Sequence, residues 1–165
     1  MKIVGNGGHA KVCREALELS GAQFDKRCFF VAVGDNAARK REALRNDLLW
    51  ACPPIIHPRA TVSRSAVIGN GTVIMGGAIV QAGAFIGKHV IINTGATVDH
   101  DCIIDDFAHI APGAHLCGNV QVGEGALVGV GVAVAPGGKI PAWSVAKTRR
   151  LEIEQQEPVP SHSGL

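Results

Sequence analysis

The sequence predicts a small α/β unit followed by a parallel β-helix, and a strict repeat carries that prediction. From Ile55 to Ala146 the chain repeats every six residues without an insertion. Such a period fits neither an amphipathic helix nor a hairpin array, but a parallel β-helix forms one short strand and one corner from each hexapeptide. The second residue of each hexapeptide is always aliphatic: Ile56, Val62, Ile68, Ile74, Val80, Ile86, Ile92, Val98, Ile104, Ile110, Leu116, Val122, Val128, Val134 and Ile140.

The repeat also predicts how side chains are arranged around the coil. Three hexapeptides close a triangular coil of about 18 residues, and stacked coils pair their strands with the coils above and below. We expect the second-position side chains to point inward as stacked columns. The sixth residue is almost always small, from Ala60 to Ser144. We expect this position near a corner, where a large side chain would block the turn. Free strand edges then remain only at the two ends.

Residues 1–51 predict a small β-α-β-α domain ahead of the β-helix domain at 55–146. Pro53 and Pro54 stop the second helix, so 51–54 predict an extended linker. The segment 147–165 is charged and then rich in Pro and Ser, which predicts a disordered tail. The predicted N-terminal elements are a strand at 2–4, a glycine turn at 5–9, a helix at 10–19, a strand at 28–33 and a helix from about 36 to 49.

Composition excludes several classes of protein. A net charge of +2 gives no reason to expect bulk attraction to nucleic acid or membranes. No apolar run approaches the ~20 residues that span a bilayer. The N-terminus lacks the basic region and apolar core of a signal peptide. The 5 cysteines form no CxxC pair, and an odd number of them is typical of a reduced, cytoplasmic chain.

The strand-turn-helix from Val4 to Lys11 is a candidate phosphate-binding turn. Glycines let the backbone approach a phosphate, and the helix N-terminus offers free N–H groups. The unit is too small for a full dinucleotide fold, so the diphosphate of a nucleotide sugar is the better match. His9 would then donate to that phosphate. The alternative is a tight turn that binds no ligand and that His9 merely caps.

The histidines of the repeats are candidates for catalysis. His100 is the fourth residue of its hexapeptide, so we expect it at a corner, facing outward, with Asp101 beside it. A carboxylate raises the basicity of a neighbouring imidazole, which suits a general base. His109 lies half a coil further on, so the two rings could meet only across a subunit interface. The alternative is a set of polar residues on a solvated face. His109 and His115 lie on adjacent faces, which does not fit a zinc site, and no metal is expected.

Three parts of the chain resemble the bacterial hexapeptide acyltransferases. Residues 3–12, and 31–36 together with Arg39, resemble the opening of the PglD/NeuD-like group of sugar acetyltransferases. The most specific match is the central series INTGA at 92–96, DHDC at 99–102, DFAHIAPGA at 106–114 and GNV at 118–120. The resemblance implies a left-handed β-helix that assembles as a homotrimer.

The resemblance also implies an activity and its residues. It implies an acetyl-CoA-dependent N-acetyltransferase, whose substrate amine on a UDP-linked amino sugar attacks the thioester directly. The alternatives are a sialic acid type O-acetyltransferase and a non-catalytic trimeric scaffold that binds nucleotide sugars. The implied roles are general base for His100, support of that base for Asp101, contact with acetyl-CoA for His109, Gly118 and Val130, and nucleotide-sugar binding for Gly8, His9, Ala10 and Gly34.

The chain departs from this family at three places. Residues 21–27 are too few to replace the family's second strand and the following loop, which carries an acidic pair that contacts the nucleotide base. Asp101 stands where Glu is common. The cationic segment 147–150 replaces a glycine-containing coenzyme segment. Its cations either meet the phosphates of coenzyme A or only solvate the end of the coil.

Overall fold

The computed structural model describes residues 1–22, 24–25, 28–46 and 50–147. The N-terminal part is a parallel sheet in the order β1-β2-β3 with two helices. Its elements are β1 (Lys2–Val4), α1 (Gly8–Ser20), β2 (Cys28–Val31), α2 (Asn36–Arg45) and β3 (Trp50–Ala51).

Two predictions for the end of this unit were wrong. Helix α2 ends at Arg45 rather than near Leu49, because Asn46 caps it with a bond from its side-chain amide to the Glu42 carbonyl (2.7 Å). Residue 51 is not linker, because β3 adds a third strand to the sheet and the Cys52 N–H continues the ladder to the Phe29 carbonyl (2.9 Å). Residues 47–49 of the predicted helix lie outside the described residues.

The predicted β-helix is confirmed, with two-residue strands stacked on three faces. Each strand pairs in parallel with the strand 18 residues away, as in Ile56↔Ile74. Face 1 contains β4 (Ile55–Ile56), β7 (Val73–Ile74), β10 (Ile91–Ile92), β13 (His109–Ile110), β16 (Leu127–Val128) and β19 (Val145–Ala146). Face 2 contains β5 (Thr61–Val62), β8 (Ile79–Val80), β11 (Thr97–Val98), β14 (His115–Leu116) and β17 (Ala133–Val134). Face 3 contains β6 (Val67–Ile68), β9 (Phe85–Ile86), β12 (Ile103–Ile104), β15 (Gln121–Val122) and β18 (Lys139–Ile140).

The interior of the coil contains the aliphatic second positions, as predicted, and also the sixth positions. Ala96, Ala108 and Ala114 are fully buried in the same core cluster as Ile92 and Ile110. The sixth residue is therefore small because it shares the narrow interior with the aliphatic columns. The sixth residue directly follows the corner, as expected, but it is small because of the narrow interior and not because it would block the turn.

The corner is formed by the fifth residue, which has a positive φ in every hexapeptide from Gly71 to Trp143. Glycine adopts this left-handed conformation without strain and occupies most of these positions. Larger residues take the same conformation at His89, Asp101, Phe107, Asn119 and Trp143, with φ between 53° and 61°. The strict repeat thus makes the same turn even where the side chain disfavours it.

The N-terminal unit packs on face 1. Ala10, Cys13 and Phe30 share one buried cluster with Ile55 and Met75 of the coil. Helix α2 lies against the corner between faces 3 and 1, where Lys40 forms an ion pair with Glu124 (2.6 Å). This docking places the glycine turn and the start of α2 next to the part of face 1 that carries His109.

Candidate active site

His100 occupies the exposed corner between faces 2 and 3, as the repeat predicts. Its Nδ1 lies 2.9 Å from Asp101 Oδ2, and its backbone N–H donates to Asp99 Oδ1 (2.9 Å). The hydrogen bond to Asp101 raises the pKa of His100, and the charges of Asp99 and Asp101 act in the same direction. Because Asp101 engages Nδ1, the other ring nitrogen is the one available to accept a substrate proton.

Gly118 lies one coil above His100, and its missing side chain makes room for the imidazole. A Cβ at Gly118 would lie 2.5 Å from His100 Nε2. The sequence predicts a role for Gly118 in binding the coenzyme. The structure adds a steric role, since this glycine keeps Nε2 of His100 clear of its neighbour in the coil.

His109 is the first residue of β13 on face 1, where Asn93 fixes its hydrogen bonding. The Thr94 N–H donates to Asn93 Oδ1 (2.8 Å), which leaves Asn93 Nδ2 to donate to His109 Nε2 (3.0 Å). His109 therefore carries its proton on Nδ1. Burial, assisted by the charges of Arg39 and His9, lowers the pKa of His109 to about 4, so the ring is neutral near pH 7. His109 could donate to a thioester oxygen through Nε2 only after giving up the bond to Asn93.

The N-terminal residues predicted to bind the substrate lie beside His109. A Cβ at Gly34 would stand 3.7 Å from the Cβ of His9. The Cys13 thiol lies 3.3 Å from His9 Nε2. Burial, assisted by the charge of Arg39, lowers the pKa of His9 to about 4. His9 therefore does not cap the turn as a cation, and helix α1 begins at Gly8 with no side-chain cap.

The remaining two residues of that turn differ in what they can offer a ligand. Gly8 has open space around it, so a ligand can approach its backbone. The side chain of Ala10 is fully buried in the core, which leaves only its backbone N–H for such a contact. These positions suit contact with the main chain rather than with side chains.

A cleft of about 230 Å³ opens between the start of α2 and face 1. His109, Leu127 and Val145 form its floor, since they pair in one register column of face 1. Residues 34–37 and Trp143 form its walls. One chain thus combines Gly34 and His109 around a single opening.

The structure does not bring His100 to this cleft. His100 and Gly118 lie at the corner between faces 2 and 3, whereas Val130 lies at the corner between faces 1 and 2, where it is 67% exposed. The sequence-based expectation that His100 and His109 point in different directions within one chain is confirmed.

Asn93 and Arg39 belong to the site, although no role is assigned to them from sequence. The 18-residue register could have indicated Asn93, because His109, 16 positions after it, lies on the neighbouring strand. The only sequence signal for Arg39 was its part in the family resemblance. Residues 148–150, with their predicted role near coenzyme phosphates, lie outside the described residues.

Two classes of feature were not found in the part of the chain that the structure describes. There, no three His, Cys, Asp or Glu side chains are grouped so that they could hold a metal ion. No helix within the described ranges has the length and apolar character needed to cross a membrane.

Solved structures similar to this chain include two acetyltransferases, one of which is a perosamine N-acetyltransferase. The acetyltransferase domain of PglB from Neisseria gonorrhoeae FA1090, also solved with acetyl coenzyme A, is 36% identical with a TM-score of 0.82; the match covers 88% of this chain and 87% of that domain. PerB from Caulobacter crescentus, solved with CoA and GDP-perosamine, is 36% identical with a TM-score of 0.82 over 87% of this chain and 83% of PerB.

A more distant structure shares the fold. WeeI from Acinetobacter baumannii AYE is 19% identical with a TM-score of 0.59, over 87% of this chain and 94% of WeeI. No protein-family model and no curated protein matches the sequence. PglB and PerB each match this chain in fold, with 36% identity over most of its length. The chain therefore belongs to the hexapeptide-repeat, left-handed β-helix acyltransferases, in their PglD/NeuD-like group of sugar acetyltransferases.

Proposed function

We propose that this acyltransferase uses acetyl-CoA to acetylate the amino group of a nucleotide-linked amino sugar, with His100 as general base. The observation that carries the proposal is the pairing of His100 with Asp101 at an exposed corner. The carboxylate holds Nδ1 and raises the pKa of His100, and Gly118 leaves room at Nε2. The relatives solved with acetyl coenzyme A, or with CoA and GDP-perosamine, support the same chemistry.

The reaction needs one group that first accepts a proton and then donates it. An amino sugar arrives largely as an ammonium ion, and His100 Nε2 takes the proton that frees its lone pair. The amine then attacks the thioester carbonyl carbon, and the C–S bond breaks as the tetrahedral intermediate collapses. The proton held by His100 goes to the leaving thiolate, and the freed His100 Nε2 takes the second proton from the attacking nitrogen and passes it to solvent. No covalent enzyme intermediate is required when amine and thioester are held together.

A complete site on this proposal needs two subunits. His100 of one chain would approach the neighbouring chain's cleft, which is lined by His109 and Gly34. Three-fold packing of triangular prisms supplies three such sites, so we propose a homotrimer. Gly118 and Val130 would line the coenzyme groove between subunits, from two different corners.

The nucleotide that carries the acceptor sugar is UDP or GDP on this proposal. The resemblance suggests a UDP-linked sugar, whereas PerB was solved with GDP-perosamine. The glycine turn at Gly8 and the Gly34 backbone suit a diphosphate, which is common to both. Acetylation of a sugar hydroxyl is the second candidate, since a hydroxyl acceptor also needs a base.

The test is release of CoA thiol from acetyl-CoA with a panel of UDP- and GDP-linked amino sugars and of sialic acid. We expect turnover with at least one amino sugar and a 10²–10⁴-fold loss on His100→Ala, the usual range for removing a general base. His115→Ala, at another exposed histidine of the coil, is the matched control and should retain the rate. Full activity of His100→Ala would refute the base. Tight nucleotide binding without turnover would instead favour a scaffold.

A further inference from the structure

Arg39 is the most deeply buried charged side chain among the described residues, with an exposed fraction of 1%. Its Nε donates to the His89 carbonyl (2.8 Å), and Nη1 donates to the carbonyls of Val33 (3.0 Å) and Gly34 (3.1 Å). Its Nη2 donates to Asn36 Oδ1 (2.8 Å) and to the carbonyls of Phe107 (2.6 Å) and Ala108 (3.3 Å). The guanidinium thus joins the backbone at Gly34 to the segment that leads into His109.

All of these acceptors are neutral oxygens. Within the described ranges, no carboxylate lies at ion-pair distance from Arg39. Asp35 forms no ion pair with Arg39, because its carboxylate accepts the Ala38 N–H (2.7 Å) as the cap of α2, although its charge raises the pKa of Arg39 against the effect of burial. A buried charge without a counter-charge is costly even when its hydrogen bonds are satisfied. Burial lowers the pKa of Arg39 to about 10, so the side chain stays charged near pH 7.

The positive charge acts on the residues that surround the predicted substrate position. The charge of Arg39 contributes to the low pKa of both His9 and His109, which are therefore neutral and add no competing charge. Helix α1 starts beside His9 without a side-chain cap and has no acidic residue in its first turn. The fixed charge and the helix terminus thus favour a negative group at the same place.

We propose that Arg39 is the fixed cation that makes this site select a diphosphate-linked sugar over the free sugar, with the diphosphate adding negative charge that no ion pair to Arg39 supplies within the described residues. The inference rests on the proposed function and deepens it. All the guanidinium donors are engaged by the protein, so Arg39 acts through its field and through the position of Gly34, and it is a positioning residue rather than a catalytic one.

Arg39→Lys and Arg39→Gln form the matched pair that separates charge from structure. Both lose the planar set of hydrogen bonds, but only the lysine keeps the charge. The readout is inhibition by inorganic pyrophosphate against the nucleotide sugar, together with the ratio of kcat/KM for the nucleotide-linked and the free amino sugar. We expect Arg39→Gln to weaken pyrophosphate inhibition about ten-fold and to lower the ratio of kcat/KM values about ten-fold, the size expected for one charge interaction at reduced dielectric. Arg39→Lys should show clearly smaller losses in both measurements. Equal losses in the two variants would overturn the proposal.

A measurement on the unaltered protein keeps the proposal testable if both variants fold poorly. NMR titration of the His9 and His109 imidazoles with and without pyrophosphate should show their pKa values rising when the anion binds, because it offsets the field of Arg39. Unchanged values at saturating pyrophosphate would overturn the inference.

The two proposals fail separately. Turnover of an amino sugar together with unchanged histidine pKa values would leave the acetyltransferase reaction standing and remove only the role of Arg39. Pyrophosphate binding that depends on charge at position 39, without turnover of any amine, would support the role of Arg39 and refute the acetyltransferase reaction.

Discussion

Asp101 controls the protonation of His100 through one hydrogen bond, which makes the pair testable by pH. The bond raises the pKa of His100, and the base is active only when neutral, so activity falls as pH drops through that pKa. Asp101→Asn should move the acid limb of the kcat/KM profile to lower pH and reduce the rate on the plateau, since the imidazolium loses its partner. Asp105→Asn, at an exposed carboxylate of a neighbouring hexapeptide, is the control. An acid limb that stays in place would show that another group titrates.

A substitution at Gly118 tests whether activity depends on the space above His100. Gly118→Ala would place a Cβ within contact of the reactive nitrogen, so we expect about a ten-fold or greater loss of kcat as the ring is displaced. Gly76→Ala is the matched control, since Gly76 is also the fourth residue of its hexapeptide and its Cβ would meet His57 at 3.2 Å. The control should keep both its rate and its melting temperature. Equal activity of both variants would contradict the steric role of Gly118.

At the scale of elements, the corner between faces 3 and 1 is a docking edge as well as a turn. His89 and Phe107 stack there with ring centroids 5.2 Å apart, and Lys40 of α2 lies over Phe107 (5.8 Å) and Trp143 (5.2 Å). The left-handed backbone at these positions turns large side chains outward, towards α2. The same corner therefore holds the coil and the N-terminal unit together.

His89 makes this edge sensitive to acid. Burial, assisted by the charge of Arg39, lowers its pKa to about 4, and its Nδ1 has no hydrogen-bond partner among the described residues. Because this value lies below the unfolded pKa of about 6.5, the stability is complete above pH 6.5 and is lost as pH falls towards 4. His89→Phe removes that titration, and Phe107 shows that phenylalanine fits such a corner.

The measurement is the free energy of unfolding in urea at pH 7 and pH 5. We expect the loss between these values to be smaller in His89→Phe by roughly 1–2 kcal/mol. His115→Phe makes the same substitution at an exposed position of face 2 and should leave the pH dependence unchanged. An undiminished loss in His89→Phe would mean that other groups cause it.

At the scale of the whole molecule, the proposed site is divided between subunits. His100→Ala and His109→Ala should each be inactive as pure trimers. Co-expression should restore roughly a quarter of the wild-type rate, because each mixed cyclic trimer contains one interface with both histidines intact. Sedimentation of the purified mixture checks the trimer itself. A monomer, or mixed trimers without activity, would contradict the two-subunit site.

The sequence by itself determined the coil and the position of His100, the proposed base. In a repeat of fixed period, the residue number sets the face, the corner and the register, so the outward position of His100 and its separation from His109 follow by counting. The motifs at 92–120 likewise identified the family that the solved structures show. Counting could not show that the fifth residue makes the corner, because His89, Phe107 and Trp143 hide the glycine pattern there.

Only the tertiary structure decided how the N-terminal unit meets the coil. The bonds of Arg39 to His89 and Phe107 join residues 50 and 68 positions apart, outside any repeat. Such contacts depend on the packing of α1 and α2 against face 1, for which no local pattern exists. That packing places His9 and Gly34 beside His109 and buries the Arg39 cation, which has no ion pair within the described part of the chain. The repeat therefore determines where the proposed base lies, and the docking of the N-terminal unit determines what surrounds the proposed acceptor position.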